Sequence, residues 1–330
     1  MRAQREAGDL SRGHGMKIHE RDAIIANLDL DEAVRRLEQG FVAYSQGRVQ
    51  APPVQAFVFA QANGDCCVKS AYLEGGDTFT VKVSTGFYDN PAQGLESNDG
   101  LMLVFSARTG QPLALLADQG WLTCMRTALA GRIVARLLAP RQVERIGILG
   151  TGTQARMQLE QLMPVIPCRE LSVWGRSDAG LASYRDFAER LGFTVRLEHE
   201  PRAVAEAANL IITATPSREA LLDSDWVRPG THITAVGADA PGKQELAAHL
   251  VAKADLVVVD SLSQCSQYGE VSHALQAGLL ERSRLLELGT LLGNPSMGRA
   301  SDDQLTVADL TGVAIQDAQI ACYAYQALRH

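Results

Sequence analysis

The chain has 330 residues, enough for two domains of ordinary size. Apolar residues make up 46% and charged residues 21%, a mix that excludes a disordered chain. Its 38 acids against 31 Lys and Arg give a net charge of −7 with no long basic run, which makes nucleic acid and anionic membranes poor electrostatic partners. No apolar run approaches the roughly 18 residues of a membrane span.

Residues 1–15 carry charge but no apolar core of a signal peptide, and read as a disordered lead-in with Met16 as the expected functional start. Residues 31–46, DEAVRRLEQGFVAYSQ, set Val34, Leu37, Phe41 and Val42 on one face of a helix, with Asp29 or Asp31 as its cap. After Pro52-Pro53 come the β-rich runs VQAFVF (54–59), CCVKSAYL (66–73), TFTVKV (78–83), LMLVFS (101–106) and LALLA (113–117). Turn signals such as Asn63-Gly64-Asp65 and Gly75-Gly76-Asp77 separate them, predicting a mostly antiparallel sheet. The run 121–139 reads as a helix stopped by Pro140. From Arg145 strands at 145–150, 171–175, 194–198, 210–214, 232–237 and 256–260 alternate with helices at 153–163, 178–191 and 201–208. Their continuous Val/Ile/Leu character predicts a doubly wound α/β domain on a parallel sheet. Residues 306–328 read as one apolar-faced helix entered through Thr311-Gly312 and packed back on the N-terminal half. The six cysteines, Cys66, Cys67, Cys124, Cys168, Cys265 and Cys322, form no C-x-x-C pair and read as reduced thiols of a cytoplasmic protein, with no metal site expected.

The segment ILGTGTQA places Gly150, Gly152 and Ala155 in G-x-G-x-x-A spacing between a predicted strand and a predicted helix, the context in which such glycines admit a dinucleotide pyrophosphate. The second strand of such a domain ends in an acid where NAD is selected. Here it ends Trp174-Gly175-Arg176-Ser177, which favours NADP(H), held through Arg176 and Ser177, with NAD(H) possible. Asp239 follows the strand at 232–237, at the edge where ligands bind, as an acid/base group or as the cap of a helix containing Lys243. Lys69 and Lys82 lie inside apolar strands, facing either a pocket or solvent. Arg126 lies in an apolar helix start, suited to gripping a carboxylate or to an internal ion pair.

Together TVKVSTGF, LTCMRTALAG, GTGTQARMQ, AVGADAPGKQEL and DLTGVAIQD resemble the ornithine cyclodeaminase/mu-crystallin family, from about Met16 to the C-terminus. The resemblance implies an α/β fold: a Rossmann dinucleotide-binding domain, expected over 126–305, and a smaller α+β substrate-binding and dimerisation domain, expected over 16–125 with 306–330. It implies Lys82 as the active-site lysine, Arg126 as the carboxylate-binding arginine and Asp239 as the catalytic aspartate of the cyclodeaminases. It further implies Gly150, Gly152, Thr153 and Gln154 as the pyrophosphate loop, Thr215, Ala235 and Val236 as cofactor-lining positions, and Thr311 and Gly312 as the loop closing over nicotinamide and substrate. Three positions depart from the family pattern. Val54 follows Pro52-Pro53 where many members carry an arginine, Lys69 stands where cyclodeaminases carry a glutamate, and Gly175-Arg176 replaces the acid.

A cluster of Lys69, Lys82 and Arg126 suits an anionic substrate. The expected activity is therefore that of an NAD(P)-dependent amino-acid dehydrogenase or ketimine reductase, moving hydride at the α-carbon of a small imino/amino acid. The alternatives are ornithine cyclodeaminase (L-ornithine to L-proline and ammonia, with NAD recycled) and an NADPH-dependent small-molecule binder of the mu-crystallin type. A homodimer is expected through the N-terminal sheet, whose β segments leave apolar area to cover.

Overall fold

The computed structural model describes residues 15–329; the expected lead-in lies, apart from Gly15, outside the described residues. Two sheets organise the chain. The first has seven strands: β1 (Lys17–Glu20), β2 (Val49–Gln50), β3 (Gln55–Phe59), β4 (Gly64–Leu73), β5 (Thr78–Phe87), β6 (Asn98–Ser106) and β7 (Pro112–Ala117). They run in the order β1-β7-β6-β5-β4-β2, with β3 also on β4, and every pairing is antiparallel except β1 with β7. Helices α1 (Arg21–Asn27), α2 (Leu30–Ser45) and α3 (Trp121–Leu138) accompany it. Asp29 caps α2, its carboxylate accepting from the amides of Asp31 and Glu32 at 2.9 Å.

Strand alternation divides this sheet into two unlike faces. Ala71, Met102, Val104, Ala114 and Leu116 are buried on one face, and Lys69 and Lys82 point the same way as directly opposed partners on β4 and β5. The other face carries Val68, Val81, Val83, Leu101, Leu103 and Leu115, all half-buried and adjacent in register.

The second sheet is wholly parallel. Its strands are β8 (Ile146–Leu149), β9 (Glu170–Trp174), β10 (Thr194–Glu198), β11 (Leu210–Thr213), β12 (His232–Ala235), β13 (Leu256–Val259), β14 (Leu285–Glu287) and β15 (Thr306–Asp309). They lie in the order β10-β9-β8-β11-β12-β15-β13-β14. The chain folds outward in both directions from β8 and β11, and the carboxyl ends of these two strands mark the switch point where open sheets of this kind bind ligands. Between strands run α4 (Thr153–Leu162), α5 (Asp178–Arg190), α6 (Pro201–Ala207), α7 (Ala248–Lys253), α8 (Leu262–Cys265), α9 (Glu270–Gln276) and α10 (Leu288–Gly293). This is the doubly wound Rossmann-type arrangement.

One expectation fails at the C-terminal end. Thr306–Asp309 is not the start of a helix but a fully buried strand inserted between β12 and β13. Four residues carry too little periodicity to separate strand from helix, and Gly312, at φ +82, breaks the chain before the helix proper, α11 (Ala314–Ala327). The chain thus leaves the parallel sheet after Asp309 rather than before Thr306. At the other expected boundary, 125/126, α3 runs through unbroken and packs on both α2 and α4. Helix α11 lies over the lysine-bearing face of β4 and β5 and against α2, closing the first sheet's core.

Candidate active site

The crevice at β8 is shaped by glycines. Gly150, at φ +116, donates its amide to the Trp174 carbonyl at 2.9 Å, and a Cβ there would meet the Ala214 carbonyl oxygen at 2.6 Å. Gly152 starts α4, and a Cβ built on it meets nothing within 4 Å. Thr153 is exposed beside it, and the side-chain amide nitrogen of Gln154 is buried with no hydrogen-bond partner among the described residues. Open space over a helix N-terminus, flanked by an unsatisfied buried donor, fits a pyrophosphate. At the end of β9 a Cβ on Gly175 would lie 2.6 Å from Thr151 Cγ2, so close packing accounts for the missing acid. Arg176 is exposed next to it, whereas the Ser177 hydroxyl is engaged as the cap of α5, accepting from the Gly180 amide at 3.1 Å. Ala235 and Val236 are buried at the end of β12. Thr215 is held by a buried acid: its amide and its hydroxyl both donate to Glu245 at 2.7 Å.

On the facing sheet the expected cations converge. Lys82, 2% exposed, lies 3.0 Å from both carboxylate oxygens of Asp317 in the first turn of α11. Arg126 reaches the same carboxylate through Nε at 2.8 Å and donates from Nη1 to Gln316 Oε1 at 2.7 Å. Lys69, 8% exposed, donates to the Gly312 carbonyl at 2.7 Å. Both lysines therefore face inward, and Arg126 does form an internal ion pair. Burial lowers Lys82 to about 8, with Arg126 and Lys69 adding to the effect and Asp317 opposing it. Burial alone would push Asp317 up, but Arg126, Lys82 and Lys69 outweigh it and hold its carboxyl below the usual range.

Gly312 joins the two sheets. Its amide donates to Asp260 Oδ2 at 2.6 Å, at the end of β13, while its carbonyl takes the Lys69 bond. A Cβ on it would fall 2.6 Å from Arg126 Nη1, so the guanidinium packs directly on this peptide. Thr311 is buried and donates to Asp260 Oδ1 at 3.0 Å. Behind these loops Glu270 accepts the amides of Glu245 and Leu246, and Asp309 accepts that of Val271. Burial raises Glu245 to about 7 and Asp309 to about 8.

Asp239 is the most open of the expected catalytic residues, its side chain 53% exposed. Residues 237–246 form no helix, so it caps none; it pairs instead with Lys243 Nζ at 2.7 Å.

Asp317, Gln316, Glu245 and Asp260 are missing from the sequence reading. Asp317 alone left a signal there: it is a lone charge in an otherwise apolar helix, the same feature that drew attention to Arg126.

A Rossmann-type parallel sheet with an open glycine loop, joined through Gly312 to a second sheet that carries three buried cations, defines a protein of the dinucleotide-binding class. The profile of the ornithine cyclodeaminase/mu-crystallin family matches residues 16–330, and the chain belongs to that family. Several solved structures match along nearly its whole length, among them three with NAD+ or NADH bound. An archaeal alanine dehydrogenase dimer with bound NAD shares 31% identity at a TM-score of 0.85, covering 94% of this chain and 95% of that one. The Δ1-pyrroline-2-carboxylate reductase of Thermococcus litoralis, in complex with NADH and L-proline, shares 26% at 0.88, covering 94% and 97%. The iminosuccinate reductase of Paracoccus denitrificans with NAD+ shares 26% at 0.85, covering 96% and 97%. Among the described residues no helix is long and apolar enough to cross a membrane.

Proposed function

We propose that the protein is an NAD(P)-dependent imine reductase or amino-acid dehydrogenase whose substrate is a small imino/amino acid with more than one carboxylate. One observation carries this reading: three buried cations gather at one place, and while Lys82 and Arg126 share the Asp317 carboxylate, Lys69 has only the Gly312 carbonyl and no carboxylate partner among the described residues. A substrate carboxylate on Arg126 and Lys82 would leave Lys69 to take a second one. The named activities of the alanine dehydrogenase and of the two reductases support hydride chemistry at an α-carbon bearing nitrogen.

The residues divide the work by position. Gly150, Gly152, Thr153 and Gln154 would hold the pyrophosphate, Ala235 and Val236 would line the nicotinamide side, and Thr215 would be set against it by Glu245. Arg176 would bind a 2′-phosphate, favouring NADP(H) over NAD(H); Ser177, committed to its helix, would contribute little. When bound, the nicotinamide supplies or accepts hydride at the substrate α-carbon. Arg126 and Lys82 hold the α-carboxylate. Lys69 spends one N–H on the Gly312 carbonyl and keeps two for the substrate's second carboxylate. Thr311 and Gly312 shape the wall that orients both. Asp239, open to the cleft, accepts an N–H from the iminium nitrogen and stabilises its charge. A cationic ornithine tail would meet repulsion here, worth about 4 kcal/mol per pair at ~4 Å and an effective dielectric near 20. We also infer a cytoplasmic homodimer closed over the half-buried apolar face of the first sheet.

The test compares kcat/KM for oxaloacetate plus ammonium, pyruvate plus ammonium, and L-ornithine with NAD+, in wild type and Lys69→Glu. The wild type should prefer oxaloacetate, and Lys69→Glu should cut the oxaloacetate-to-pyruvate ratio by roughly tenfold to a hundredfold. Turnover of ornithine to proline by the wild type, without net reduction of NAD+, would replace this reading with cyclodeamination. Tight NADPH binding without any turnover would replace it with a binding role.

A further inference from the structure

Asp239 and the cations it must work with stand on different sheets. Lys82 and Arg126 belong to the first sheet and its helices, whereas Asp239 sits on the loop after β12 of the second. That loop turns at Ala240-Pro241-Gly242-Lys243: the Lys243 amide donates to the Ala240 carbonyl at 3.2 Å, and Gly242 takes φ +77, the pattern of a type II turn. The turn folds Lys243 back onto Asp239, with Nζ to Oδ1 at 2.7 Å. The Lys243 carbonyl is in turn fixed by His273 Nε2 of α9 at 2.9 Å.

The Lys243 side chain then leaves its own sheet. It is 11% exposed, lies over the ring of Tyr88 with Nζ 5.6 Å from the centroid, and donates to the Tyr88 hydroxyl at 3.3 Å. Tyr88 passes its own O–H to Asp65 Oδ2 at 3.0 Å. The phenol thus accepts on one side and donates on the other, a polarity that Phe cannot supply. Tyr88 directly follows β5, the strand of Lys82, and Asp65 lies on β4, the strand of Lys69.

We propose that Lys243 and Tyr88 are positioning residues, and that the chain Asp65–Tyr88–Lys243 holds the Asp239 carboxylate of one sheet in register with the Lys82/Arg126 pocket of the other. The claim rests on the role given to Asp239 above, and extends it to two side chains that act through that carboxylate. Without the latch, a half-exposed carboxylate on a turn samples orientations, and each turnover must find the productive one.

Two measurements test this. In the unliganded protein, Tyr88→Phe and Lys243→Met should speed amide hydrogen exchange across residues 237–246 by roughly tenfold, the loss of about one charged hydrogen bond, and leave β4 and β5 unchanged. In turnover, each should lower kcat by a similar factor on the better of oxaloacetate and pyruvate with ammonium and add little in an Asp239→Asn background. Tyr88→Phe keeps the ring, so it stands as the milder variant if Lys243→Met fails to fold. Unchanged exchange and turnover in both variants, with Asp239→Asn impaired, overturns the latch alone. Full additivity with Asp239→Asn also overturns it. Wild-type turnover by Asp239→Asn refutes the reading of Asp239, and the positioning role with it.

Discussion

Replacing Asp317 with Asn keeps the side chain's shape and removes the carboxylate that Lys82 and Arg126 share. At separations of 3.0 and 2.8 Å, each attraction is worth about 6 kcal/mol at an effective dielectric near 20, offset by the several kcal/mol of desolvation that the buried carboxylate costs. Breaking a buried pair by removing one partner typically leaves a net loss of about 3–5 kcal/mol, which for a chain of this size lowers Tm by roughly 4–7 °C. The same substitution has a second, signed consequence. Lys82 is lowered to about 8, so in the folded protein it gives up its proton at lower pH than a free lysine does. A carboxylate substrate needs the protonated form, and its KM should be flat below about pH 8 and rise up to tenfold per unit above it. Asp317 opposes the lowering of Lys82, so in Asp317→Asn the break moves toward acid. The assays are thermal unfolding with and without succinate, which should stabilise the variant more than the wild type, and KM against pH. A Tm within about 2 °C of wild type, together with an unmoved break, would refute the reasoning.

Three further outcomes follow from the cofactor edge and the first sheet. Arg176→Ala should weaken NADPH roughly tenfold to a hundredfold and NADH little, read by fluorescence titration; wild-type protein that binds NADH at least as tightly as NADPH contradicts the cofactor preference. Gly152→Ala should leave the Tm of the unliganded protein unchanged, because φ is −80 and the added methyl meets open space, yet weaken either cofactor at least about tenfold. Light scattering at micromolar concentration should give a dimer, and Leu103→Lys on the uncovered sheet face should yield monomer.

What could be read from the sequence was local. Gly150 and Gly152 stood between a strand and a helix, Lys69 and Lys82 were charges inside apolar strands, and Arg126 interrupted an apolar helix; each announced itself within ten residues. What escaped was pairing across the chain. Asp317 meets Lys82 from 235 residues away and Gly312 meets Lys69 from 243, and no periodicity encodes such encounters. The acids at Glu245, Glu270, Asp309 and Asp260 look like surface residues in sequence, but their carboxylates are spent on backbone amides of distant loops. β15 escaped for a different reason: buried on both faces and four residues long, it shows neither alternation nor a helical stripe.

The most direct test of hydride transfer to an imino-acid α-carbon uses NADPH deuterated at nicotinamide C4, with oxaloacetate and ammonium as co-substrates and mass spectrometry of the amino acid formed. Aspartate carrying one deuterium at Cα, in step with cofactor oxidation, is the predicted result. Aspartate without deuterium, or no amino acid while L-ornithine is converted to proline and ammonia with no net change in NAD+, would contradict it.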